Sequence, residues 1–138
     1  MENNLTVLAK AIHANAVDHG WWDEERSFGD IIALCHSELS EALEEYRANR
    51  PMVWYACNEA GPSTEPCSHA EFECLNYGKE AECKYRGTKP EGIAVEMIDC
   101  IIRILDWCGR YDIDVDAILA QKHAYNKTRP YKHGGKRI

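Results

Sequence analysis

Between Ser27 and Ala48 a carboxylate stands where an amphipathic helix would place leucine. Laid out at 100° steps from Ile31, the residues Leu34, Cys35, Ala42, Tyr46, Leu39, Ile32 and Leu43 join Ile31 in one broad apolar arc. Ser37, Ser40, Glu44 and Arg47 fall opposite. Glu38 and Glu45 fall inside the arc, and Glu41 falls at its edge beside Leu34. An ionised carboxylate in such a place must be paired, metal-bound or neutralised. The helix itself is well marked: Ser27 is a good N-cap with Asp30 three residues on, and Pro51 lies just past its end.

A second segment carries the complementary pattern. From Pro90-Glu91, with proline where a first-turn N–H is not needed, to Gly109 as a C-terminal glycine, the chain reads as a helix that is apolar nearly all round. One narrow polar stripe remains: Glu96, Asp99, Arg103 and Asp106, at steps of three, four and three, which stack on one face. Set antiparallel, the two helices bring Glu38-x-x-Glu41 opposite Glu96-x-x-Asp99. Four carboxylates converging between helices suit a hard divalent cation, and without one their repulsion raises their pKa values. The alternative is that both stripes face solvent and Arg103 pairs with Asp99 or Glu96.

Two more helices are predicted, Leu5 to His19 ending at Gly20, and Asp114 to about Asn126. Pro130 and Gly134-Gly135 forbid regular helix beyond that. Strand signals are weak throughout. The expectation is therefore all-α, a four-helix bundle in a single domain over residues 1–138, with a Cys-containing insert of about 49–89 between helices two and three. So long a connection is uncommon unless it is functional or stapled. Its Cys57, Cys67, Cys74 and Cys83 are enough for a structural zinc clip, but no C-x-x-C pair exists, so free thiols or one disulfide remain as alternatives. Cys35, Cys100 and Cys108 lie on apolar helix faces and read as small core residues.

The formal net charge of -7 removes a broad electrostatic footprint for nucleic acid. The basic stretch from Lys122 to Arg137 has no acid in it, which suits phosphate contacts or a solvated tail. No run approaches a membrane span, and no signal peptide is visible, so the expected location is cytoplasmic.

With these residues in place, the chain resembles the MazG-like, or all-α, nucleoside triphosphate pyrophosphohydrolases. Glu38-Leu39-Ser40-Glu41 followed by Glu96-Met97-Ile98-Asp99 is similar to their paired E-x-x-E and E-x-x-D signature. The flanks are similar too: Gly20-Trp21-Trp22-Asp23, LCHSELSEALEEYR from Leu34, KPEGIAV from Lys89, and KxxxYNKTRPYKHGGK from Lys122. The resemblance covers nearly the whole chain outside the insert. It implies a MazG-like fold assembled as a homo-oligomer, dimer or tetramer. It also implies cleavage of the α–β bond of nucleoside triphosphates to the monophosphate and pyrophosphate. Magnesium, or manganese in its place, would be held by Glu38, Glu41, Glu96 and Asp99. Glu41 or Glu45 would act on the attacking water. His13 and Trp22 occupy the places from which some relatives hold the base, and Arg103, Lys122, Asn126 and Arg129 complete the substrate-binding candidates. Packing and surface roles remain open for His13, Trp22 and the cations. The competing function classes are a helical nucleotide-sensing or protein-binding module without turnover, and an interaction protein zinc-clipped through its insert. The presence of all the motif carboxylates favours the enzyme.

Overall fold

A computed structural model describes residues 4–56, 62–65 and 89–135. Its elements in order are α1 (Leu5–Asp18), α2 (Phe28–Arg47), β1 (Trp54–Ala56), β2 (Lys89–Glu91), α3 (Ile93–Arg110), α4 (Val115–Lys127) and the four-residue α5 (Lys132–Gly135). The structure is thus mostly helical with a small two-stranded sheet. Two compact units emerge, one of Met1–Arg26 with Ile104–Ile138, the other of Ser27–Arg103. Among the described residues no helix is long and apolar enough to cross a membrane.

In the unit of Ser27–Arg103, α2 begins as its sequence dictates. Ser27 Oγ accepts from the Asp30 backbone N–H at 3.1 Å, and Asp30 Oδ2 accepts from the Ser27 N–H at 3.1 Å. The reciprocal pair satisfies donors that a helix start leaves unpaired. Advancing along α2 from Cys35 to Glu41 runs backward along α3 from Cys100 to Glu96, so the two helices are antiparallel. Ile31, Cys35, Ala42 and Cys100 are buried there, together with two carboxylates, Glu38 and Glu96. The three cysteines expected in the core are buried free thiols.

The start of α3 corrects the sequence reading. Pro90 lies in β2, paired antiparallel opposite Tyr55, and the helix begins three residues later. Pro90 therefore sits in a two-stranded edge, where its missing N–H is tolerated. Gly92 makes the junction, at φ +115° and with a Cβ position only 2.6 Å from the Met52 carbonyl oxygen. That oxygen accepts from the Ala94 N–H at 2.9 Å. Only glycine fits such a conformation and approach. Tyr55 also exchanges backbone hydrogen bonds with Ser63, at 2.7 and 3.0 Å.

In the other unit, Ala9, Leu105 and Cys108 form a buried cluster, with Ile12, Trp107, Ile113 and Val115 against it. Burying Leu105 contributes about 2 kcal/mol. The first turn of α1 takes acceptors from two places in sequence: Asn4 Oδ1 for Val7 N–H, and both Asp116 oxygens for Leu5 and Thr6 N–H, at 3.1 and 2.8 Å. The Thr6 hydroxyl adds a 2.6 Å bond to Asp116, so α4 and α1 are tied at their N-termini. Asp114 caps α4 by accepting from Ala117 N–H at 3.0 Å, as its place in the sequence predicts. α3 passes through Gly109 to Arg110 instead of stopping at the glycine. A short helix forms at Lys132–Gly135, where Pro130 and the glycine pair predicted none.

Candidate metal centre and aromatic cluster

Glu38, Glu41 and Glu96 each present a carboxylate oxygen such that the three oxygens lie within 4.8 Å of one another. Glu38 and Glu96 are only 7% and 6% exposed, whereas Glu41 faces solvent. The helical spacings explain the grouping. Glu38 and Glu41 are one turn apart on α2, and antiparallel packing brings Glu96 of α3 beside them. Asp99, one turn beyond Glu96, is half-buried and feels Glu38 and Glu41 electrostatically.

The charges are held under tension. Burial first, and then Glu41, Asp99, Glu91 and Glu38, push the Glu96 carboxyl up to about 7. Burial and Glu38 raise Asp99, against the opposing pull of Lys89 and Arg103. One of the two buried acids has direct relief, since Arg103 Nε–H donates to Glu38 Oε1 at 2.9 Å. The sequence alternative paired Arg103 with Asp99 or Glu96; it bonds to Glu38 on the facing helix and also acts electrostatically on Asp99. Lys89 ion-pairs with Glu91 at 2.6 Å, which raises its pKa, and Glu96 and Asp99 add to the shift.

The donor set fits a hard divalent cation. All ligand atoms are carboxylate oxygens, their spacing allows shared coordination, and a cation there would relieve Glu96, which is raised first by burial and then by its acidic neighbours. Glu38, Glu41 and Glu96 could hold the ion, with Asp99 adjacent. Glu45 is placed differently: its Oε2 accepts from the Trp54 indole N–H at 2.7 Å, and Arg50 lies over that indole at 5.0 Å. Nothing in the helical periodicity of α2 could have found Trp54, which lies in β1.

These shifts give a pH dependence with a definite sign. Because folding raises the Glu96 pKa from 4.5 to about 7, its contribution to stability is complete below about pH 4.5 and is lost as pH rises through 7. Asp99 acts in the same direction. Metal-free protein is therefore expected to melt roughly 5 °C lower at pH 8 than at pH 5.5, reflecting on the order of 1–2 kcal/mol after solvent screening. Added magnesium should recover the loss at pH 8. Calorimetry at the two pH values checks this, and equal or higher stability at pH 8 would contradict it.

The other unit holds a second polar cluster. His13 Nδ1 lies 2.7 Å from Asp106 Oδ1, and the Trp22 indole N–H donates to both Asp106 oxygens at 3.0 and 3.1 Å. The His13 and Trp22 rings meet edge to face at 5.3 Å, and the Arg110 guanidinium lies 5.4 Å from the Trp22 ring centre. The two predicted base-holding residues are thus brought together. The signal for Asp106 was its place in the polar stripe of α3; nothing marked Arg110. Lys122, Asn126 and Arg129 are exposed on α4 and just beyond it, with the Lys122 ammonium over the Tyr125 ring at 5.1 Å. Cys57, Cys67, Cys74 and Cys83 lie outside the described residues.

Compared with protein-family models, curated proteins and solved structures, the chain matches none.

Proposed function

We propose that this protein is a magnesium-dependent nucleoside triphosphate pyrophosphohydrolase with a MazG-like fold, cleaving the α–β bond to give the monophosphate and pyrophosphate. The observation that carries the reading is the meeting of Glu38, Glu41 and Glu96 oxygens within 4.8 Å, with two of the three carboxylates buried. Two buried acids together call for compensation: Arg103 supplies it for Glu38, and a divalent cation would supply it for Glu96. The E-x-x-E and E-x-x-D motifs that supply them are those of the family the sequence resembles.

Magnesium held by Glu38, Glu41, Glu96 and Asp99 would offset charge on the phosphate oxygens as the bond breaks. Manganese could take its place. Glu41, exposed and accepting a weak 3.2 Å bond from Ser37 Oγ, is assigned the attacking water. The bond from Trp54 favours Glu41 over Glu45 for that task. Arg103 compensates Glu38 and is assigned a phosphate contact as well. His13 and Trp22 are assigned the base, an aromatic face and a polar edge side by side. Lys122, Asn126 and Arg129 are assigned the phosphates and sugar.

Incubation with a panel of canonical and modified nucleoside triphosphates, with magnesium and with chelator, tests the reading. Magnesium-dependent pyrophosphate release supports it. Release from none of them moves the protein to the binding class.

The reading includes self-association. Ile98, Ile101 and Ile102 of α3 are 52%, 46% and 39% exposed, and Leu39 and Leu43 of α2 are also exposed. A second copy covering them would remove costly apolar surface from water. Ile101→Glu is expected to lower the solution mass to that of the monomer by light scattering. A variant of unchanged mass, or a parent chain that is already monomeric, would remove this part of the proposal.

A further inference from the structure

Asp106 takes no part in the chemistry proposed above, yet it gathers the hydrogen bonds of its cluster. An indole nitrogen can only donate, so the Trp22 contacts at 3.0 and 3.1 Å make the carboxylate an acceptor. Beside that carboxylate at 2.7 Å, His13 Nδ1 carries the hydrogen, and Nε2 is left for another partner. The His13 and Asp106 side chains are only 16% and 17% exposed. Hydrogen bonds to a charged acceptor are strong in such shelter and tolerate little misalignment. Arg110 covers one side of the indole, and His13 meets the ring at 75°. A carboxylate here therefore fixes two aromatic rings at once, the plane of one and the tautomer of the other.

We infer that Asp106 is a positioning residue for nucleobase recognition: through Trp22 Nε1 and His13 Nδ1 it sets the edge that a planar, polar-edged base must match. The inference rests on the reading that His13 and Trp22 hold the base. Asp106 itself does not touch the base. It acts by removing rotational freedom from the two rings, so that less order is lost when a base binds.

The test uses the full chain and two variants. Asp106→Asn keeps the shape and one acceptor oxygen; Asp106→Ala removes both. In the free protein, nitrogen NMR of His13, assigned with His13→Gln, reports which ring nitrogen carries hydrogen. With magnesium, KM and kcat are measured for dATP, dGTP, dCTP and dUTP. The expected result is a His13 signal shifted away from the Nδ1–H form, most in Asp106→Ala. KM for the preferred nucleotide should rise about tenfold, preference among the four should flatten, and kcat should stay within about threefold. Asp106→Asn should lie between the parent and Asp106→Ala. If the parent chain is active and Asp106→Asn keeps its KM and preference despite an altered His13 tautomer, the inference falls and the functional reading stands. A loss of kcat at unchanged KM would also overturn it. If the parent chain hydrolyses no nucleotide, the functional reading falls and this inference with it.

Discussion

Glu38→Gln is expected to reduce magnesium-dependent pyrophosphate release by more than about a hundredfold while leaving the helices folded. Glutamine has nearly the same volume, and its carbonyl oxygen can still accept from Arg103 Nε, now 2.9 Å from Glu38 Oε1. What it cannot supply is a negatively charged oxygen beside those of Glu41 and Glu96. The loss should therefore appear as weaker magnesium affinity and slower turnover, without a change in helical circular dichroism. Removing one charge also eases the crowding around Glu96, so metal-free Glu38→Gln should show a weaker fall in stability between pH 5.5 and 8 than the parent chain. Full turnover in the variant would remove Glu38 from the site.

A large stability effect is expected at Gly109. A Cβ there would lie 2.7 Å from His13 Cβ and closer still to the Ala9 carbonyl oxygen, so α1 and α3 approach through the glycine. Elsewhere in a helix, glycine to alanine is favourable by about 1 kcal/mol. At position 109 the collision is with backbone, which cannot swing aside, and overpacking of this kind costs typically 1–3 kcal/mol. The clash should win: Gly109→Ala is expected to melt roughly 5 °C lower than the parent chain. His13 is displaced with α1, so its link to Asp106 should loosen as well. A Gly109→Ala protein as stable as the parent would show that the close approach is not required.

The glycine also illustrates what a sequence can and cannot convey. Gly109 reads as a helix stop because glycine commonly ends helices, but here it serves a close approach inside the last turn. One letter has two uses, and only the neighbouring helix decides between them. Pro90 is a similar case. Proline suits the first turn of a helix, but its pairing opposite Tyr55 is set by β1, more than thirty residues earlier in the chain. A three-residue strand is too short to show alternation, so neither member of the pair was legible.

Local signals fared better. The capping box at Ser27 and Asp30 is specified by residues three apart, and it forms. The burial of Glu38 follows from the 3.6-residue period alone, since its angular position lies among the apolar residues. The same period placed Glu45 inside the arc but could not tell which partner it would meet. That partner, Trp54, lies beyond the helix. Likewise the polar stripe of α3 marked Arg103 and Asp106 as neighbours on one face, but it did not show that Arg103 would also bond Glu38, or Asp106 bond His13 and Trp22. Spacing along a helix tells which side chains share a face. It does not tell what the face meets.

The measurement that tests the central claim most directly is phosphorus NMR of the products formed from a nucleoside triphosphate, with hydrolysis carried out in oxygen-18 water. The account predicts pyrophosphate and nucleoside monophosphate in equal amounts, formed only with a divalent cation present. Orthophosphate and nucleoside diphosphate as the products, or pyrophosphate formed equally well in chelator, would contradict it.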